Sequence, residues 1–229
     1  MERERAIEIR IAIETARKEM LDRYSVVKAA MRGAFHSALF QGALPNPNAQ
    51  RLLDRELKRT AQSAIATETR SVVSEATKLL KLAQTNVEFE DVAQRISDFQ
   101  KSISAQIGHD ARIASELFRK TQLRLQSSVV PREETYQQSI AAINDESVFS
   151  YRDSIGRTWL SRHYMITLSG KFYYELANDL SLAQVMSEGK TTITLDRPGH
   201  ESDGLEFSLA DLSEVRKQYL HPGSKGIVV

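Results

Sequence analysis

The 229-residue chain has no cysteine, so disulfides, thiolate zinc sites and a cysteine nucleophile are excluded, and assembly in a reducing compartment is the natural setting. It also lacks any apolar run approaching the roughly 18 to 20 residues that a membrane-spanning helix needs. The opening Met-Glu-Arg-Glu-Arg alternates charge and leads into a segment broken by Glu8, Arg10 and Glu14, without the apolar stretch of a secretory signal. The expected protein is neither exported by the usual route nor embedded in a membrane. Neither G-x-x-x-x-G-K-[ST] nor G-x-G-x-x-G occurs, so no nucleotide-phosphate cradle is expected. An excess of one charge is missing too: 31 Lys+Arg face 30 Asp+Glu, a net of +1, which announces no nucleic-acid binder.

What is present is a globular composition, 41% apolar and 27% charged, enough to bury a core in one or two domains. Ala6, Ile9, Ile13, Ala16, Met20 and Tyr24 recur at intervals of three and four and the stripe continues to Phe35, which predicts a long helix to about Phe40. A helix of some forty residues spans about 60 Å. Residues 5–14 also alternate at a strand period through Ile7, Ile9, Ile11 and Ile13; helix is the expectation because the longer spacing persists. Gly42, Pro45 and Pro47 end it. A second helix is expected from an Asn48 cap to Ala83, with a Ser/Thr-rich middle that lowers its intrinsic propensity and calls for packing partners. A third carries Phe89, Val92, Ile96, Phe99, Ile103 and Ile107, and Gly108-His109-Asp110 reads as a break before a fourth stretch from 111 to about 126.

Periodicity stops at 127–131, where Pro131 with Glu133 and Glu134 opens a new helix. The expected division is therefore 1–128, a long-helix region, and 129–229, a small α+β domain. The first carries 21 basic and 16 acidic residues, net +5, and the second 10 and 14, net −4. Within the second, a short helix is expected over 131–144, an extended or turn segment over 149–158 around Gly156, and one or two helices over 159–188. A β-branched strand over 191–195, its partner over 205–209 and a last helix over 212–219 complete it. The fold class is α+β, predominantly α.

Candidate chemistry is sparse. His200-Glu201-Ser202-Asp203, with His163 and His221 elsewhere, sets imidazoles beside carboxylates as a general base or metal site would. Against that, Pro198-Gly199 places His200 in a turn, where metal-ligand spacing on a helix is lost. Gly156-Arg157-x-Trp159 could hold an anion, or Gly156 could make a tight turn while Trp159 anchors a core and Arg157 pairs with Asp153. Ser161, Ser169, His163 and Asp179 lack a G-x-S-x-G elbow. On the first helix basic residues interleave with acids, a mixed solvated face rather than a one-sided groove.

The order of these residues carries more than any one of them. Tyr151 and Asp153 lead to Gly156, Arg157 and Trp159; Tyr164 follows early in a helix; a helix over 172–189 and a strand come next. Then come His200, Ser202, Asp203 and Gly204, a Phe207-Ser208-Leu209 strand, and His221-Pro222. As an ordered set over about 148–224, this resembles the carboxy-terminal domain of tailed-phage head morphogenesis proteins, the minor capsid proteins of the Mu gpF-like kind. Many such proteins carry cysteines where this chain has Gly204 and Ser224, and an Arg-Thr pair where it has Leu168-Ser169, so no thiol or metal cross-bracing carries over. The resemblance implies a non-enzymatic virion component of the head interior or portal vertex, assembled in the host cytoplasm in several copies. Its implied partners are the portal protein, the major capsid protein and, weakly and without sequence preference, packaged DNA. No catalytic residue, metal or cofactor is implied. Two alternatives stay open: a metal-dependent nuclease or other phosphodiester-active domain using His200, His221 and Arg157, and a helical adaptor unrelated to phage.

Overall fold

The computed structural model describes residues 2–40, 46–83, 89–127, 129–152, 155–220 and 225–228. Three long helices come first, α1 (Glu2–Phe40), α2 (Pro47–Ala83) and α3 (Phe89–Ser127), followed by α4 (Arg132–Asn144). A hairpin of β1 (Ser150–Arg152) and β2 (Thr158–Leu160) leads directly into α5 (Ser161–Ser187). Then come β3 (Thr192–Asp196), β4 (Glu206–Ser208), α6 (Leu212–Tyr219) and β5 (Ile227–Val228). The fold is α+β and predominantly α, as its periodicities predict.

Residues 5–14 are helical. Ala6, Ile9 and Ile13 are fully buried, whereas Ile7 and Ile11 are 50% and 62% exposed, so the alternating isoleucines divide between an inner and an outer helical face. The cap of α2 lies at Asn46, not at the expected Asn48: the Asn48 N–H donates to Asn46 Oδ1 at 2.9 Å, with Pro47 at the first helical position, where its missing N–H costs nothing. The expected break at Gly108 does not occur, and α3 is continuous. Glycine lowers helix propensity by only about 1 kcal/mol, and Gln106, Ile107, Asp110 and Ala114 are all buried around it. Of the one or two helices expected within 159–188 there is one, α5, and Trp159 precedes it on a strand.

The chain forms two compact units, and each draws on both sides of the expected 128/129 boundary. Unit 1 is Met1–Met20, Thr69–Gln100 and Met165–Val229; unit 2 is Leu21–Glu68 and Lys101–Tyr164.

Unit 1 holds a three-stranded antiparallel sheet in the order β4-β3-β5, with Ile193 opposite Phe207 and Leu195 opposite Val228. Its apolar cluster joins Leu182 and Val185 of α5 to Ile193, Leu195, Val215, Leu220 and Val228. Phe99 stacks on Phe172 at 4.0 Å between ring centres, the Tyr173 hydroxyl donates to Glu75 and the Tyr174 hydroxyl donates to Glu14 at 2.8 Å. Asn178 clamps the terminal strand, donating to the Gly226 carbonyl and accepting from the Val228 N–H, both at 3.0 Å.

Unit 2 packs Phe35 edge-on to Phe118 at 5.5 Å and ties α4 down through a 2.8 Å hydroxyl pair, Thr121 with Ser139, and a 3.1 Å bond from Arg32 to the Ile143 carbonyl.

Candidate functional site

The ordered motif falls in two places, one in each unit. In unit 2, Tyr151 of β1 pairs across the hairpin with Trp159 of β2, and Gly156 takes a left-handed φ of 84° in the connection, a conformation open to glycine at little steric cost. Trp159 is half-buried rather than a core anchor, and its ring is covered by the Arg157 guanidinium at 5.3 Å, a cation–π contact. Tyr151 stands edge-on to Tyr164 at 5.2 Å and to His109 at 6.2 Å, while His109 Nε2 sits 3.2 Å from the Ser150 carbonyl. The hairpin is thus an aromatic brace in which Arg157 is occupied by the indole. Asp153, its expected carboxylate partner, lies outside the described residues, as do His221 and Pro222.

In unit 1, residues 197–204 form the turn between β3 and β4. Gly199 and Gly204 have φ values of 78° and 77°. The turn is closed by backbone bonds from His200 to Arg197, from Asp203 to His200 and from Gly204 to Leu195. His200 Nδ1 accepts from the Ser202 N–H at 3.2 Å and lies 2.8 Å from Ser202 Oγ. Asp203 Oδ1 accepts from the Arg197 N–H at 2.8 Å and Oδ2 from Arg3 at 3.3 Å. The serine–histidine contact resembles half a nucleophilic dyad. Ser202, however, is 1% exposed, so its hydroxyl is screened from solvent, and the imidazole nitrogen facing it already takes a backbone N–H. Beneath the turn, Arg10 donates to the Asp196 carboxylate at 2.6 Å and to its carbonyl at 2.9 Å.

The other candidate hydroxyls are also consumed. Ser169 is fully buried and donates to the Ile166 carbonyl at 3.0 Å. Asp179 is gripped by Arg95 and by Arg216, the latter at 2.7 Å. Among the described residues no group of three or more His, Cys, Asp or Glu is placed to hold a metal ion.

The most concentrated polar chemistry sits where no motif pointed, inside unit 2. Asp110 is fully buried and accepts from three side chains: the Tyr24 hydroxyl, the Ser161 hydroxyl at 2.7 Å and the Gln106 amide at 3.0 Å. Gln106 also donates to Ser161 at 2.8 Å. Burial pushes the Asp110 carboxyl above its ordinary value despite these donors and the nearby Lys28 charge, and burial together with Asp110 pushes the Tyr24 phenol up. Lys28, 4% exposed, pairs with Glu146 and lies 5.0 Å from the Phe149 ring centre. Burial by itself would raise the Glu146 carboxyl, but the bonds from Lys28 and Arg32 outweigh it and hold that group low. A signal for this cluster exists in the sequence: Tyr24, Lys28, Gln106 and Asp110 occupy positions on or beside apolar stripes, where a polar residue needs a partner.

No protein-family model, curated protein or solved structure matches the chain.

Proposed function

We propose that the chain is a non-enzymatic minor head protein of a tailed phage, contacting portal and major capsid protein during head assembly and DNA packaging. The observation that carries this reading is the use made of the ordered motif. Gly156, Arg157, Trp159, Gly199, His200, Ser202 and Asp203 close two turns and spend their polar groups on neighbouring backbone and side chains. Such residues define a shape, and a shape that presents surfaces suits an assembly component. Large apolar side chains open to solvent, Ile11 at 62%, Val26 at 69% and Phe40 at 67%, add surface that a partner would cover.

The test is coexpression with the portal and major capsid proteins that this role pairs it with. The chain is expected to sediment with portal rings or proheads, and to leave supercoiled plasmid intact with Mg²⁺, Mn²⁺ or Zn²⁺. A chain that stays in the slow fraction, or metal-dependent nicking abolished by His200→Ala, would overturn the proposal.

A further inference from the structure

Within unit 2, α2 and α3 together make a one-sided basic face that neither helix shows alone. Gln50 donates to Ser115 Oγ at 3.0 Å, Ser115 donates to Asp54 at 2.6 Å, and Gln122 reaches the Asn46 carbonyl at 3.0 Å. These contacts run in opposite directions along the two chains, so the segments are antiparallel. At about 100° per residue, Arg51, Arg55 and Lys58 fall on one flank of α2, and the antiparallel geometry turns Arg112 and Arg119 of α3 toward that same side. All five are exposed, and none takes part in an ion pair or hydrogen bond among the described residues. Of the nearby acids, Glu56 lies on the side of α2 where it and Arg55 line a groove with Ala30, Gly33 and Ala34 of α1. Asp54, bonded to the uncharged Gln50 and Ser115, and Glu116 keep their charges beside the five cations, so the flank is net +3.

We infer that this face binds the phosphate backbone of double-stranded DNA. The warrant is charge complementarity. The strip runs for about 15 Å along the helices at 1.5 Å per residue, and duplex DNA presents one charge per about 1.7 Å of its axis. Four of the five cations are arginines, whose planar fork matches phosphate oxygens. Unit 2 carries 16 basic and 11 acidic residues, net +5, which adds a long-range pull of the same sign. The choice of DNA over another polyanion rests on the proposed head role; the location rests on the charges.

Fluorescence anisotropy of the full chain with a 30-base-pair duplex, about 30 in length so as to exceed the strip, tests it. Five phosphate contacts give a log–log salt slope near −4.5, an affinity loss of about 500-fold between 50 and 200 mM salt. R51E/R55E/K58E should flatten the slope to about −2 and cost most of the low-salt binding, whereas R132E/R162E, exposed arginines on α4 and α5, should leave both nearly unchanged. R51Q/R55Q/K58Q serves if the charge reversal fails to fold. Equal loss in the two sets, no loss in the first, or a sequence-specific footprint persisting at 200 mM would overturn the inference. So would self-association or capture of an acidic protein, lost in R51E/R55E/K58E, with no duplex binding by the parent chain. Portal cosedimentation of the same variants separates the two ideas: retained with DNA binding refuted, it leaves the head role standing and sinks only this site.

Discussion

Replacing Asp110 tests whether the interior of unit 2 holds a carboxyl group at a cost. Its folded-state pKa lies above the ordinary value, chiefly through burial. The folded chain therefore keeps a proton that the unfolded chain releases above about pH 4. Stability should fall as pH rises from there to the folded value, with a slope of up to about 1.4 kcal/mol per pH unit from this group alone. Asp110→Asn keeps the shape and removes the titration, so the variant should gain on the parent as pH rises and be level or worse below about pH 4. Asp110→Ala instead orphans the Tyr24 and Ser161 hydroxyls, while Gln106 and Ser161 keep their mutual bond. Two buried donors at about 1 to 3 kcal/mol each predict a loss of roughly 2 to 6 kcal/mol. Urea titrations of the three proteins from pH 4 to 8 read this directly. A difference between Asn variant and parent that stays constant with pH, or shrinks as pH rises, refutes the reasoning.

Two further outcomes follow from unit 1. Arg10→Met leaves the Asp196 carboxylate, 4% exposed, without its cation, and should cost about 3 to 5 kcal/mol, largely recovered by adding Asp196→Asn; a single variant within about 0.5 kcal/mol of the parent in urea would contradict it. The fragment 129–229 keeps the apolar cluster around Ile193 and Leu195 but loses Arg10, Glu14, Glu75 and Phe99, the partners of Asp196, Tyr174, Tyr173 and Phe172. It should show helical circular dichroism without a cooperative urea transition, and a sharp transition would refute this.

The helices were legible because their apolar stripes are long and regular. Where local punctuation misled, a tertiary or cap effect won. Gly108 reads as a break until the buried residues on both sides of it are seen to hold the turn. Asn48 looks like a cap, yet Asn46 with Pro47 behind it caps two positions earlier. The 128/129 boundary is a true change of periodicity, but periodicity reports neighbours three or four residues apart. The compact units instead join residues such as Tyr174 and Glu14, 160 positions apart, and no local pattern encodes that pairing.

The site divides in the same way. The turn glycines declare themselves, since a left-handed φ favours glycine and Gly156, Gly199 and Gly204 all adopt one. The direction of the polar groups does not: nothing in the spacing of Gly156-Arg157-x-Trp159 lays the guanidinium over the indole, where it is found. Charge was legible only as totals. A net of +1 conceals unit totals of +5 and −4; the halves 1–128 and 129–229 carry the same totals, although each unit gathers its residues from both. The same cancellation hides the basic face of α2 and α3, whose five cations are 68 positions apart in sequence from Arg51 to Arg119. Helical spacing places each set on one flank; only the antiparallel pairing through Ser115 turns the two flanks to the same side. A one-sided electrostatic surface can therefore arise from two helices that each look mixed, and net charge or single-helix charge patterning is a poor guide to whether a helical protein meets a polyanion.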